Sequence, residues 1–268
     1  MTSVAVWVAV DSRAPSSLYI ASDSRIRWPG GHTWDQGRKV FASSLKPCIF
    51  GYWGDVLFPA LAIPVIIDRI DGGLLDLEAA RWYSPVETAI RLLWKEYPEK
   101  ERGSFGIAYG FRVGVGLQCE FKRAITAYAS SSKSWKTDEI PMPPCSAILA
   151  VKGSGSSQVR KSYGLWQASS EANTSRAAFS AFCESIAGGG DPASGGAPQL
   201  AGLYRKDPGK LFGIIHEGLR HFAGSALSGN EDSGDVEWRD HLFQLVDGPS
   251  KSRLPDAQRH RPRELGKV

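Results

Sequence analysis

The chain opens with runs of apolar residues that predict paired strands. Val4–Val10 and Leu18–Ser24 are strand-like, and residues 11–16 between them are rich in turn formers. A second pair is predicted at Lys39–Ala42 and Cys48–Tyr52, after a loop that contains two adjacent glycines. The first fifty residues are therefore expected to contribute strands to two hairpins.

Helical patterns then alternate with further strands. A long apolar helix is predicted at Val56–Ile70, and a second one follows Ser84, with Ser84 as its N-cap and Pro85 in its first turn. Further strands are expected at 104–111, 116–122, 147–151, 200–204 and 212–216, and further helices near 156–167 and 176–186. Blocks of strands between blocks of helices predict an α+β fold, with two antiparallel sheets face to face and helices outside.

The composition changes near Gly224, which suggests a boundary. Residues 1–223 are predicted to form the main domain, and residues 224–268 a C-terminal extension. Within the extension, 228–235 is a polar loop, Trp238–Val246 is predicted to dock as a short helix, and 251–268 is a basic tail.

Composition and charge exclude several function classes. A net charge of +4 over 268 residues does not indicate nucleic-acid binding, which needs clustered basic residues. The four cysteines are scattered and the five histidines lack metal-ligand spacing, so no disulfide framework, metal site or cofactor is expected. The longest apolar run, Val56–Ile67, is too short for a membrane span, and no secretory signal is present. The cytoplasm is the expected compartment.

Thr2 is the first candidate for chemistry, since it leads directly into the first predicted strand. Removal of Met1 would leave a hydroxyl and a free α-amine on one residue, which is a nucleophile with its own base. Asp23 ends the second strand and Lys39 opens the third. A lysine can lower the pKa of a nearby hydroxyl, and a carboxylate can hold that lysine in place. The alternatives are a solvated terminus and an ordinary ion pair at a strand edge.

Three glycine-rich turns accompany these residues. Gly54 lies between a strand and a helix, where its backbone N–H can stabilise an oxyanion. Gly153-Ser154-Gly155 precedes a helix and lacks the lysine of a phosphate-binding loop. Asp191 and Ser194 lie in a third turn, where they can orient a free amine. Tight turns and helix capping explain each motif equally well when it is taken alone.

Taken together and in this order, the motifs resemble those of proteasome β-type subunits. They are Thr2, Ala21-Ser22-Asp23-Ser24-Arg25, Arg38-Lys39-Val40, Gly54, Gly153-Ser154-Gly155-Ser156 and Asp191-x-x-Ser194-Gly195-Gly196. The family consists of N-terminal-nucleophile hydrolases and includes the bacterial HslV protease. The resemblance implies a four-layer αββα sandwich and a threonine peptidase built from stacked rings of identical subunits. Its substrates would be peptides or unfolded proteins.

The resemblance also implies a role for each site residue. Thr2 would be the nucleophile, Lys39 would tune its hydroxyl, Asp23 would hold Lys39, and the Gly54 N–H would stabilise the oxyanion. The remaining residues would orient the amine or line the primary specificity pocket: Ser154, Asp191 and Ser194 in the first role, Tyr52 and Val56 in the second.

Three departures from the family pattern leave other functions open. The segment between Thr2 and Asp23 is longer than usual, Asp55 replaces a second glycine, and the C-terminal extension is long. One alternative is a ring-forming structural or binding protein with little activity. Another is an amidase of the same superfamily that acts on small molecules. Whether an ATP-dependent unfoldase acts as a partner is not determined by these residues.

Overall fold

The computed structural model describes residues 2–78, 81–229, 231–232 and 234–259. Within these ranges the chain forms four α-helices, α1 (Leu57–Asp71), α2 (Ser84–Glu96), α3 (Ser156–Gln167) and α4 (Ser175–Ala187). The strands, in chain order, are β1 (Ser3–Val10), β2 (Pro15–Ser22), β3 (Ile26–Arg27), β4 (Thr33–Trp34), β5 (Val40–Ala42), β6 (Cys48–Gly54), β7 (Phe105–Val113), β8 (Glu120–Ala129), β9 (Ser134–Glu139), β10 (Ala147–Gly153), β11 (Gln199–Tyr204), β12 (Lys210–His216), β13 (Leu219–Phe222), β14 (Ser225–Ala226), β15 (Trp238–Arg239) and β16 (Leu245–Val246).

The strands form two large sheets and one small hairpin. The larger sheet follows the order β10-β1-β2-β11-β12-β13-β14, with β15 added beside β12 and β16 beside β15. The second sheet follows the order β5-β6-β7-β8-β9, and β3 pairs only with β4. Apart from the parallel β12–β15 contact, neighbouring strands are antiparallel. The predicted α+β class is confirmed.

Three clusters of buried side chains connect these elements. One joins α1 and α2 to the five-stranded sheet and includes Ile63, Phe50 and Tyr109. A second joins α3 and α4 to the larger sheet, through residues such as Trp7 and Phe179. The third contains residues of both sheets, and its members include Val6, Ile20, Ile49 and Phe121. Burial of these side chains is the main source of stability for such a fold.

The helices match their predicted positions closely. The sequence predicts α3 over residues 156–167, which are its observed bounds. In α1, the isoleucines at 63, 66, 67 and 70 face the core. Of the helices in the described ranges, none has both the length and the apolar character needed to cross a bilayer. The predicted cap of α2 is wrong by one residue, because Ser84 is its first helical residue and Tyr83 occupies the N-cap.

The prediction of a helix at Trp238–Val246 is wrong. The segment forms the short antiparallel pair β15–β16, with Trp238 opposite Val246. Asp240 stabilises the turn by accepting hydrogen bonds from the backbone N–H groups of Leu242 at 2.9 Å and Gln244 at 2.8 Å. Backbone pairing with β12, about 25 residues earlier in the chain, overrides the local apolar pattern.

The strand predicted at 116–122 begins later and extends further than expected. Gly116 has a φ of +70° and starts a short 3-10 turn, so β8 begins only at Glu120. It then continues to Ala129 and pairs with β9, which the sequence pattern did not predict. None of the β9 residues is buried, and its largely polar sequence lacks the apolar alternation that marks a strand.

Candidate active site

Thr2 is held against the end of β10 at the start of the first strand. It is entirely buried, and the next residue, Ser3, pairs with Gly153. Gly153 has a φ of +94°, and a Cβ atom there would lie 1.6 Å from the Thr2 carbonyl oxygen. Only glycine fits this contact without a backbone shift. Among the described residues, Thr2 Oγ1 is buried and has no hydrogen-bond partner. Met1 lies outside the described residues.

Asp23 and Lys39 form a buried ion pair, as the sequence predicts. Lys39 Nζ lies 3.1 Å from each carboxylate oxygen of Asp23, and neither side chain is exposed. The ammonium also donates to the Arg25 carbonyl oxygen at 2.5 Å. Burial lowers the pKa of Lys39 and raises that of Asp23, because each charged group has lost its hydration, although the pairing opposes both shifts. A lysine in this state is suited to proton transfer.

Backbone N–H groups fix the orientation of the Asp23 carboxylate. Oδ1 accepts a hydrogen bond from Ser3 N at 2.9 Å, and Oδ2 accepts from Arg25 N and Gly195 N, both at 3.1 Å. The carboxylate is therefore connected to β1, to its own strand end and to the loop after α4. These contacts position Lys39 relative to the start of β1.

Ser154, Asp191 and Ser194 form a second group, also as predicted. Asp191 Oδ2 accepts hydrogen bonds from Ser154 Oγ at 2.6 Å and from Ser194 Oγ at 2.7 Å. Partial burial acts to raise the pKa of Asp191, but these hydrogen bonds outweigh it and the pKa lies below its usual range. Asp191 is therefore an anion at neutral pH. Ser154 is exposed, so this group forms the side of the site nearest solvent.

Ser3 links the two groups and was missed by the sequence reasoning. Its backbone N–H bonds to Asp23, and its Oγ lies 2.7 Å from Ser194 Oγ. A Cβ atom on Gly155 would lie 2.1 Å from Ser3 Oγ, so Gly155 provides the space for this link. The signal in the sequence was weak, because a serine next to a candidate nucleophile has no distinguishing pattern.

Gln199 is a second residue that sequence reasoning missed. Its side-chain oxygen accepts a hydrogen bond from Lys39 N at 3.0 Å, and its Nε2 donates to the Asp23 carbonyl oxygen at 3.1 Å and to Gly37 O at 2.7 Å. It therefore aligns the two chain segments that carry the ion pair. In the sequence, Gln199 is marked only as a polar residue at the start of an apolar strand. In the structure, it is 2% exposed.

Gly54 lies on the strand beside Lys39. Tyr52 N donates to Lys39 O at 3.3 Å, and Gly54 follows two residues along the same strand. Its φ is +89°, and a Cβ atom there would lie 2.4 Å from the Ser104 carbonyl oxygen. Glycine is thus required at the position predicted for the oxyanion donor.

The two residues predicted to line a specificity pocket have different environments. Tyr52 is entirely buried in the cluster with α1, and its hydroxyl donates to the Arg38 carbonyl oxygen at 3.1 Å. Burial raises the pKa of Tyr52, so it is neutral at neutral pH. Val56 is half-buried at the N-cap of α1. Tyr52 therefore belongs to the core, and Val56 is the more accessible of the two.

Comparisons with known proteins give no family assignment, because neither a protein-family model nor a curated protein matches the chain. Within the described ranges, no group of three or more His, Cys, Asp or Glu side chains lies close enough to hold a metal ion.

Proposed function

We propose that the chain is a threonine peptidase of the proteasome β type, with Thr2 as the nucleophile after removal of Met1. The observation that most supports this is the hydrogen-bonded network that passes through Ser3, the residue next to Thr2. Asp23 and Lys39 are joined through Ser3 to Ser194, Asp191 and Ser154, over separations of up to 191 residues. Unrelated turns and strand-edge pairs have no reason to converge in this way.

The packing supports the fold that this family requires. One cluster of buried side chains contains residues of both large sheets. A second cluster joins the five-stranded sheet to α1 and α2, and a third joins the larger sheet to α3 and α4. We infer a four-layer αββα sandwich from these three clusters, with the site at the strand ends between the two sheets. Such layering is a common solution for sheets with two apolar faces.

The reaction would begin at the free amino terminus. The Thr2 amine, directly or through water, would accept the proton of its own hydroxyl as that oxygen attacks the peptide carbonyl carbon. The Lys39 ammonium would stabilise the developing alkoxide, held in place by Asp23. The Gly54 N–H would donate to the tetrahedral oxyanion. Asp191, with its two serine partners, would orient the protonated amine.

Collapse of the tetrahedral intermediate would break the peptide bond. The leaving nitrogen would take the proton from the Thr2 amine and depart as the first product, which leaves an ester on the threonine oxygen. Water, deprotonated by the same amine, would then attack the ester and release the second product as a carboxylic acid. As the ester C–O bond breaks, the amine would pass the proton taken from water to the Thr2 oxygen, which restores the hydroxyl whose own proton left with the first product, so no cofactor is needed.

Exposed apolar residues support assembly with further copies of the chain. On α1, Leu57, Leu61 and Val65 are 55%, 60% and 39% exposed and are spaced four residues apart, so they form one stripe. A second copy of the chain would cover this stripe in a ring of identical subunits. Peptides or unfolded proteins would be the substrates inside the ring.

The test combines intact mass with peptide hydrolysis. The purified protein is expected to lack Met1, to cleave unfolded peptides and to gain the mass of a threonine-directed covalent inhibitor. Thr2→Ala should abolish cleavage and labelling, whereas Thr88→Ala, on an exposed face of α2, should leave both unchanged. Retained Met1, or cleavage that is indifferent to Thr2, would refute the proposal. Preference for non-peptide amides would instead indicate an amidase.

A further inference from the structure

A cavity separate from the proposed active site lies at the N-terminal end of α4. Its volume is about 380 Å³, and it is also lined by β16 and by the segment that contains Ala257. Its lining combines charged side chains, Glu171, Arg176 and Arg239, with the apolar side chains of Phe243 and Leu245. Concave sites with a few polar groups in an apolar wall are typical of small-molecule binding.

Three polar groups of the lining lack partners. Among the described residues, Ser175 Oγ, Arg176 Nε and Arg239 Nε are buried and make no hydrogen bond. The Arg176 side chain is only 7% exposed, and that of Arg239 is 15% exposed. A buried donor without a partner is destabilising by roughly 1–3 kcal/mol. All three atoms belong to residues that line the cavity, so a ligand that accepts hydrogen bonds would give them partners once these side chains adjust to it.

Other nitrogen atoms of the two guanidinium groups already have partners. Arg176 Nη1 donates to Glu171 Oε1 at 2.7 Å. Arg239 donates to Phe243 O at 3.0 Å and pairs with Glu237, which Lys210 also contacts at 3.0 Å. These existing bonds hold both guanidinium groups in place beside the cavity.

The local charge favours a single negative charge on the ligand. Arg176, Arg239 and Lys210 carry three positive charges, and Glu171 and Glu237 carry two negative ones. The backbone N–H groups of the first turn of α4 add to the positive potential, since the Thr174 side chain caps only Ala177 N. A monoanion would balance this excess, whereas a phosphate dianion would exceed it.

We propose that this cavity binds a small organic carboxylate, with its anionic group on Arg176, Arg239 and Ser175 and its apolar part against Phe243 and Leu245. Guanidinium groups recognise carboxylates through charge-assisted hydrogen bonds, which are stronger than neutral ones. The site is independent of the proposed peptidase function, because none of its residues belongs to the network around Thr2.

The test uses benzoate as the probe and benzamide as its uncharged analogue, in isothermal titration calorimetry at constant ionic strength. Benzoate is expected to bind saturably, and benzamide at least roughly tenfold more weakly. The double variant Glu171→Gln, Arg176→Gln removes one guanidinium without leaving an unpaired charge, and should weaken benzoate binding roughly tenfold. Ser175→Ala should weaken it about fivefold.

Arg160→Gln, at an exposed position on α3, is the matched control and should leave the affinity unchanged. Thr2→Ala should also bind benzoate normally, which separates this proposal from the peptidase. Equal affinity for benzoate and benzamide would overturn the proposal. Unchanged benzoate affinity in both Ser175→Ala and the double variant would also overturn it. An unaltered circular dichroism spectrum of each variant would show that it is folded. Tighter binding of inorganic phosphate than of benzoate would overturn the carboxylate assignment.

Discussion

Gly153→Ala is the substitution that tests most directly how the fold positions Thr2. The new methyl carbon would lie 1.6 Å from the Thr2 carbonyl oxygen and 2.6 Å from its carbonyl carbon. Both neighbours are backbone atoms, so no side-chain rotation relieves the overlap. The φ of +94° at this position is also unfavourable for any residue with a Cβ atom.

The magnitude follows from this geometry. The methyl carbon and the oxygen must separate by roughly 2 Å to reach an ordinary contact distance. A misplacement of about 1 Å at a reacting group can lower a rate about 10²-fold, so kcat/KM should fall at least ~10²-fold. The left-handed backbone costs about 1–2 kcal/mol and overpacking about 1–3 kcal/mol. We therefore expect a loss of about 2–5 kcal/mol in the free energy of unfolding.

The assay measures peptide hydrolysis and urea unfolding on the variant and on Gly164→Ala as control. Gly164 lies within α3, is exposed and has no atom within 4 Å of an added Cβ. Alanine there should leave turnover unchanged and stabilise the helix by about 0.5–1 kcal/mol. Turnover by Gly153→Ala equal to that of the unmodified protein would refute the reasoning, because Thr2 would then not depend on this contact.

Three further predictions concern named contacts. Lys39→Met leaves the Asp23 carboxylate buried without its counter-ion. The free energy of unfolding, measured in urea, should therefore fall by about 3–5 kcal/mol, and kcat for peptide hydrolysis should fall ~10²-fold. Ser3→Ala should lower kcat about tenfold, which is the effect expected from the loss of one hydrogen bond in a charged network. Ser16→Ala on β2 should leave kcat unchanged. If Ser3→Ala has the same kcat as Ser16→Ala, Ser3 has no positioning role. Burial acts to raise the pKa of Glu237, but Arg239 and Lys210 outweigh it, so the pKa lies below its ordinary 4.5. The stability lost in Glu237→Gln should therefore be largest above pH 4.5 and should shrink as the pH falls through the lowered pKa of Glu237, measured from urea midpoints.

The candidate site was predictable in part, for a reason visible in the residues themselves. Asp23 and Lys39 are charged residues at the ends of apolar strands, and the Asp191–Ser194 turn has a distinctive composition. The structure brings Asp23 together with Lys39, and Asp191 together with Ser194 and Ser154. Ser3 and Gln199 were not predictable, because each acts through a partner 160 or more residues away and has an ordinary local context.

The sequence by itself determined the local elements. The periodicity of 156–167 specifies α3, and the apolar runs in β1 and β2 specify strands. Burial of one face of an element places apolar residues at regular intervals along its sequence. Only the tertiary structure decided that Trp238–Val246 forms strands and that Ser3 connects the two halves of the site. Strand pairing and hydrogen bonds between residues far apart in the chain depend on how the sheets pack. The local sequence around each of these residues does not determine that packing.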